Sequence, residues 1–374
     1  MSSKKFLKIV LGLSFFVAIL IGGVNYIVDP YGIYKTNIFP NKSEEDKQIR
    51  FIKALKVKEI EKINSIVIGT SRADHGYNPD HDYFIKSSYN FALGGGTLYE
   101  NRVFLENILQ NHNLKQVLLI ADWRAFNDIT MKHINDFEKY FEKANIYKFL
   151  LNISSLKDSY LTIKNQDSPH FHLNNGLRNP DWHSSIPKNG HLKTMINSEK
   201  NYYKYYENIY RYKDTQKSSF EDFRKILELC YQNNIKLDIV FGPSHIRQWE
   251  AFDYYQDIET WYKWKKDVVL FVEKIAKEQE KNPYRIMDFS IYHELTAETV
   301  PTNPKEKMKY HWEASHYKKE LGDIVLDRLL DISPYKDFGV ELNIQNIDNH
   351  IQNLREDRVQ FIDTEAYRKE VFEE

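Results

Sequence analysis

Several things are scarce in this chain of 374 residues, and each scarcity removes a class of function. Cys230 is the only cysteine. An intramolecular disulfide is therefore impossible, and so is a zinc site built on several thiolates. Cys230 itself lies in a helical stretch, 219–233, beside Phe223, Ile226 and Leu229, where a small buried hydrophobe is expected. Freedom from disulfides suits the cytoplasm and a bacterial exterior alike, so the compartment must be read elsewhere. Net charge is scarce as well: 52 Lys and Arg against 53 Asp and Glu leave −1. Nonspecific nucleic-acid binding needs a basic surface, and this balance argues against it. Motifs for nucleotides and metals are missing. No Walker loop occurs, Gly94-Gly95-Gly96 lacks the spacing of a dinucleotide fingerprint, and there is no His-Glu-x-x-His. Asp74, His75 and His311 are an incomplete ligand set, so neither a metal nor another cofactor is expected. Internal repeats, heptads and low-complexity segments are absent too.

What is present begins with enough apolar sequence, 42% of residues, to fill one large core or two small ones. Tyr is abundant, and many tyrosines fall in polar stretches. That suits carbohydrate-facing clefts and equally suits the filling of a fold. Lys4, Lys5 and Lys8 precede an apolar run from Ile9 to Val24 that continues more weakly to Val28. Twenty helical residues cover about 30 Å, the thickness of a hydrocarbon core. The lysines on one side and Asp29 on the other predict a cytoplasmic N-terminus and an exported body, periplasmic or extracellular. Gly22 and Gly23 end the run without an Ala-x-Ala site. Residues 1–28 are therefore expected to be an uncleaved anchor, with a cleaved signal peptide as the alternative. Residues 29–61 read as a juxtamembrane linker, with a turn at Asp29-Pro30-Tyr31-Gly32 and an amphipathic helix over 44–60.

From there strands and helices alternate. Apolar, β-branched runs at 65–69, 88–93, 116–122, 237–242 and 285–289 read as strands. Helices are expected at 97–110, 219–233 and 260–280. Such alternation predicts an α/β protein with a parallel sheet covered on both faces. One interval breaks the rhythm. Residues 123–218, rich in Tyr, Asn, Lys and His, are far longer than a normal crossover. They read as an insertion and candidate cap, with helical pieces at 136–151 and 156–164. The body is thus expected over 62–335, followed by a helical extension, 336–374, docked upon it.

In an open parallel sheet, ligands bind beyond the carboxyl ends of the strands. After the first strand comes Gly69-Thr70-Ser71-Arg72, a tight turn that places a serine where a helix begins. Its hydroxyl would sit at the sheet's mouth, and its N–H at a helix N-terminus suited to an oxyanion. A plain helix N-cap is the competing reading for Ser71. Near the end of the body, Glu313-Ala314-Ser315-His316 sets a carboxylate three residues before a histidine. Glu313 can accept the imidazole Nδ1–H and leave Nε2 to take a serine proton. His245, in Gly242-Pro243-Ser244-His245 after the fourth strand, is a substrate-contact candidate. Arg72 could hold either an anionic substrate group or a structural carboxylate.

This pattern resembles the SGNH hydrolase superfamily, and within it the membrane-anchored bacterial branch linked to surface-polysaccharide modification. Gly69-Thr70-Ser71 is similar to the family's first block with Thr70 in place of aspartate. Glu313-Ala314-Ser315-His316 is similar to its last block with Glu313 in place of aspartate. Asn90-Phe91-Ala92-Leu93-Gly94-Gly95-Gly96-Thr97 resembles the glycine block, with Gly95 the favoured oxyanion donor. The asparagine block has no counterpart. Asn127 could move into that role, or Asp122 and Trp123 could occupy its place. The resemblance implies a three-layer α/β/α sandwich of flavodoxin-like type. It also implies an exported serine esterase or O-acyltransferase acting on acyl, foremost acetyl, esters of a glycan. Ser71, His316 and Glu313 would be catalytic; Ser71, Gly95 and Asn127 would line the oxyanion hole. Implied partners are the glycan, the membrane, and membrane acyl-donor or polysaccharide-assembly proteins. The rival expectation is an inactive accessory protein of the same fold that binds glycan or tethers an assembly complex. A lipase fits the polar, aromatic insertion poorly.

Overall fold

The computed structural model describes residues 2–127, 136–141, 146–181, 190–204, 206, 210–212 and 214–373. The chain divides into two compact units, Met1–Glu59 with Glu138–Leu173, and Ile60–Phe137 with Asn174–Glu374.

The larger unit is built on a six-stranded sheet in the order β2-β1-β3-β4-β5-β6. Its strands are β1 (Ser65–Ile68), β2 (Ser88–Asn90), β3 (Gln116–Ile120), β4 (Lys236–Phe241), β5 (Arg285–Asp288) and β6 (Val340–Leu342). The first five run parallel, with Ile66 beside Val117 and Val117 beside Leu237; β6 is antiparallel to β5. Consecutive side chains of a strand point to opposite faces. All of them are buried in β1 and β3, which is why these strands read as unbroken apolar runs. From β1 the chain moves to β2 on one side and to β3 on the other, so the switch point lies at the carboxyl ends of β1 and β3.

Around the sheet lie α3 (Ser71–Gly76), α4 (Leu98–Asn111), α5 (Trp123–Phe126), α7 (His191–Glu199), α8 (Ser219–Gln232), α9 (Ile246–Gln256), α10 (Ile258–Glu278), α11 (Lys319–Leu329), α12 (Ile347–Phe361) and α13 (Thr364–Phe372). The remaining α-helices belong to the smaller unit. A capping box between Thr97 and Glu100 starts α4, which packs on α8. The crossing of α11 over α3 fixes the helix that Ser71 begins. It is so close that a Cβ on Gly322 would stand 1.7 Å from the Gly76 carbonyl oxygen.

The tail differs from a purely helical extension. It contributes the edge strand β6 before α12 and α13, and three residues are too few to show a strand pattern. A buried ion cluster fastens it. Lys265 of α10 donates to Asp288 at 2.6 Å, and His350 of α12 meets the same carboxylate at 2.8 Å. Burial would raise the Asp288 pKa, but Lys265 and His350 hold it at about 2.

The smaller unit gathers α1 (Ser3–Val28), α2 (Ile49–Glu59) and α6 (Ile153–Lys164) around Tyr31, Ile33, Phe51, Ile52 and Phe149. Helix α1 is long and apolar enough to cross a membrane, and none of its apolar window is buried in protein. The expected insertion is therefore not one body: 138–173 folds with the N-terminal segment, and 174–218 with the sheet. Specific polar bonds account for this. Tyr31 donates to Asp158 at 2.6 Å, and the Asn41 amide donates to the carbonyls of Asn165, Gln166 and Ser168. The helical piece expected at 136–151 consists of short 3-10 turns, and its residues 142–145 lie outside the described set.

Candidate active site

Two short segments make the site, one after β1 and one before α11. Gly69 ends β1 at φ +152°, and a Cβ there would lie 2.8 Å from that of Ala73 and 2.9 Å from the Ile120 carbonyl oxygen. Only glycine makes this turn without strain. Thr70, not Ser71, is the N-cap of α3: its hydroxyl accepts the Arg72 N–H at 3.4 Å and donates to Asp122. Ser71 is thereby released from capping and stands half-buried in the first helical turn.

The second segment is a tight loop closed by a bridge between His311 and Tyr317. Trp312 N–H donates to the His316 carbonyl at 2.9 Å, and Lys318 N–H to that of Tyr310 at 2.7 Å. Inside it, the Glu313 carboxylate accepts the N–H groups of Ser315 and His316, both at 2.9 Å, and the Nδ1 side of the His316 ring. With Nδ1 donating to a carboxylate, Nε2 is the basic nitrogen. That atom lies 2.7 Å from Ser71 Oγ. His75 stacks on the His316 ring at 4.7 Å, backing it from α3.

Electrostatics agree with the geometry. Burial would push the Glu313 pKa up, but His316, the Ser315 N–H and the Ser198 hydroxyl hold it at about 2. Glu313 is therefore an anion at any physiological pH, able to orient the imidazole and stabilise an imidazolium.

The proposed oxyanion donors separate. Leu93 N–H donates to the Gly69 carbonyl at 3.3 Å, which draws the glycine segment alongside the Ser71 turn. Neither Ser71 N–H nor Gly95 N–H has an acceptor among the described residues. Asn127 does not join them. It is fully buried, its amide donates to the Trp123 carbonyl at 3.1 Å, and its oxygen accepts the Tyr210 N–H at 2.8 Å. Its side chain closes α5 and anchors the strand of chain returning to α8.

Both substrate-contact candidates are engaged by the protein's own groups. The Arg72 guanidinium is buried and pairs with Asp122 at 2.6 Å, while other nitrogens donate to the Ser315 carbonyl and to the hydroxyls of Ser315 and Tyr203. Of its two readings, the structural carboxylate holds. Arg72 ties the switch point to the histidine loop. His245 is the N-cap of α9: Nδ1 accepts the Arg247 N–H at 3.2 Å, and Nε2 meets the Glu298 carbonyl at 2.8 Å. Burial, with His311 adding to it, drives its pKa well below the ordinary value. Both ring nitrogens are committed to backbone. Two members of the incomplete metal set have protein partners. Asp74 engages Arg178, whereas His311 faces Glu298 and the Pro243 carbonyl.

Residues beyond the sequence reading complete the site. Arg178 donates to Asp74 at 2.8 Å and reaches within 3.6 Å of where a Gly94 Cβ would stand, which puts a guanidinium beside the glycine segment. Ser198 supports Glu313, and Tyr202 accepts the Ser315 hydroxyl at 2.6 Å. All three come from 174–204, where no spacing relates them to Ser71 or His316. A cavity of about 840 Å³ lies elsewhere, lined by residues such as Tyr262, Arg355 and Arg358, and none of the catalytic candidates borders it. The hydrogen-bonded chain from Glu313 to Ser71 is what marks the candidate site.

No protein-family model and no curated protein matches this chain.

Proposed function

We propose that this chain is a membrane-anchored serine esterase or O-acyltransferase of SGNH type, acting on acyl esters of an exported glycan. In this reading the sheet and its helices form the three-layer sandwich of that superfamily. The N-terminus lies in the cytoplasm, and the sheet-bearing unit lies outside. The observation that carries the proposal is the chain Glu313–His316–Ser71, with 2.7 Å between imidazole Nε2 and serine Oγ at the switch point of a parallel sheet.

The chemistry follows from the atoms. Ser71 Oγ attacks the ester carbonyl carbon while its proton passes to His316 Nε2. The carbonyl oxygen becomes an oxyanion facing the N–H groups of Ser71 and Gly95. Collapse breaks the ester bond, and the imidazolium returns its proton to the leaving alcohol. Water or a sugar hydroxyl, deprotonated by the same imidazole, then attacks the acyl carbon; the bond to Ser71 Oγ breaks and the imidazolium returns its proton to that oxygen. Which acceptor reaches the acyl-enzyme decides between hydrolysis and transfer. The glycan preference rests on the polar, tyrosine-rich sequence of the insertion and on the anchor. The test is acetate release or transfer by the full chain in detergent or vesicles, given 4-nitrophenyl acetate and an O-acetylated polysaccharide. Turnover by the native chain and none by Ser71→Ala supports the proposal; equal turnover by both defeats it.

A second reading has one observation in its favour. Of the residues that could stand in for the family's asparagine, Asp122 is buried and paired with Arg72, and Asn127 is committed to backbone. An accessory protein that binds glycan or tethers an assembly complex would tolerate that loss. It would also be indifferent to Ser71→Ala.

A further inference from the structure

Helix α6 is built with its polarity reversed. The side it buries is polar: Ser155, Asp158, Ser159 and Thr162. Asp158 accepts from Tyr31 and Lys47, and Ser159 donates to Asn25 at 3.0 Å. Its outward side is apolar. Ile153 is 75% exposed, Tyr160 64%, Ile163 45%, and the preceding Leu151 66%. At 3.6 residues per turn, Ile153, Leu156, Tyr160 and Ile163 share one arc of about 80°, with Lys157 and Lys164 beside it. Water would favour the opposite arrangement.

The position of α6 on α1 says what covers this face. Asn25, in the last turns of α1, is buried, and its amide donates to the carbonyls of Phe149, Leu150 and Asn152. That anchors the start of α6 at the end of the apolar helix. Leu151 stands 3.5 Å from where a Gly22 Cβ would lie, level with the final turns of the apolar run. The exposed face of α6 is thus continuous with the exposed apolar surface of α1, at the end opposite Lys4, Lys5 and Lys8. Tyr160 with flanking lysines is the composition of a membrane interface.

We infer that α6 is an interfacial helix whose Leu151–Ile153–Tyr160–Ile163 face enters the headgroup–acyl boundary of the bilayer that α1 crosses. The inference rests on α1 being a membrane anchor. One consequence is that the smaller unit has two attachments to the bilayer, which fixes its tilt as a single helix could not.

The test uses spin labels on the full chain in phosphatidylcholine vesicles. Cys230 is buried and the only native thiol, so single cysteines can be added without removing it. Ile153→Cys and Tyr160→Cys report the face, Leu13→Cys reports α1, and Val359→Cys, 82% exposed on α12, is the aqueous reference. Labels at 153 and 160 should relax faster with dissolved oxygen than with a water-soluble nickel chelate, as at position 13. The order should invert at 359. If 13 is in lipid while 153 and 160 behave like 359, the α6 inference is overturned and the anchor stands. If 13 also behaves like 359, the anchor reading fails and this inference with it. Dipolar broadening between labels at 153 would assign the face to a second copy and overturn the lipid assignment.

Discussion

His245 and His316 invite comparison because both lie beyond the carboxyl ends of strands, and the sequence offers both to a ligand. They differ in what their ring nitrogens do. His245 is buried with both nitrogens on backbone groups, one capping α9 and the other holding the Glu298 carbonyl. His316 spends only Nδ1 on structure, through Glu313, and directs Nε2 at a serine that is itself relieved of capping by Thr70. The same contrast separates Asp122, consumed by Arg72 and Thr70, from Ser71 at the neighbouring strand end. In the proposed mechanism His316 keeps one ring nitrogen for the serine proton, and that one capacity is what His245 lacks.

The largest effects should fall where that one capacity is removed. Ser71→Ala and His316→Ala should each lower kcat for ester turnover by about 10⁴-fold or more, and the double variant should be no worse, because residues acting as a unit are not additive. Additive losses in steady-state kinetics would mean that the two act separately. Glu313→Gln keeps the shape and removes the charge. Turnover should fall about 10²–10⁴-fold, with KM nearly unchanged.

Arg72→Met should instead act on stability, since it leaves the Asp122 charge buried without its cation, at a cost of about 3–5 kcal/mol by chemical denaturation. If it changed only KM, Arg72 would be a substrate ligand after all. At the small end, His245→Ala should cost about 0.5–2 kcal/mol through the lost cap and leave kcat untouched in whatever protein remains folded. A fall in kcat there without a fall in Tm would erase the distinction between the two histidines.

Acid stability sharpens the same comparison. The folded pKa of Glu313, about 2, lies below its ordinary value of 4.5. Its ionisation therefore stabilises the fold above pH 4.5, and that contribution is lost as pH falls toward 2. Glu313→Gln should flatten the decline of Tm between about pH 4.5 and 2, whereas His245→Ala should flatten it from pH 6.5 downward, because the buried neutral imidazole refuses the proton that the unfolded chain takes up there.

How much of this was legible depended on distance along the chain. Strands β1, β3 and β4 announce themselves because burial on both faces demands consecutive apolar residues. Glu313 and His316 are readable because the carboxylate and the ring it orients share one four-residue loop. Ser71 is readable from the turn that Gly69 permits. Arg178, Ser198 and Tyr202 were not, because nothing in their local sequence records which part of the sheet they approach. Arg72 and His245 carried the right chemistry for a site, and only the groups packed around them decide otherwise. The polar spacing of Ser155, Asp158, Ser159 and Thr162 gives a helix with two faces but does not say which one turns inward.

The central claim is that Ser71 is an activated nucleophile, and covalent labelling tests it without knowledge of the substrate. The full chain in detergent is treated with a fluorophosphonate probe, and the adduct is mapped by peptide mass spectrometry. The expected result is stoichiometric modification of Ser71, absent in Ser71→Ala and strongly slowed in His316→Ala at unchanged Tm. A folded chain that takes up no probe, or that labels equally well without His316, would contradict the account.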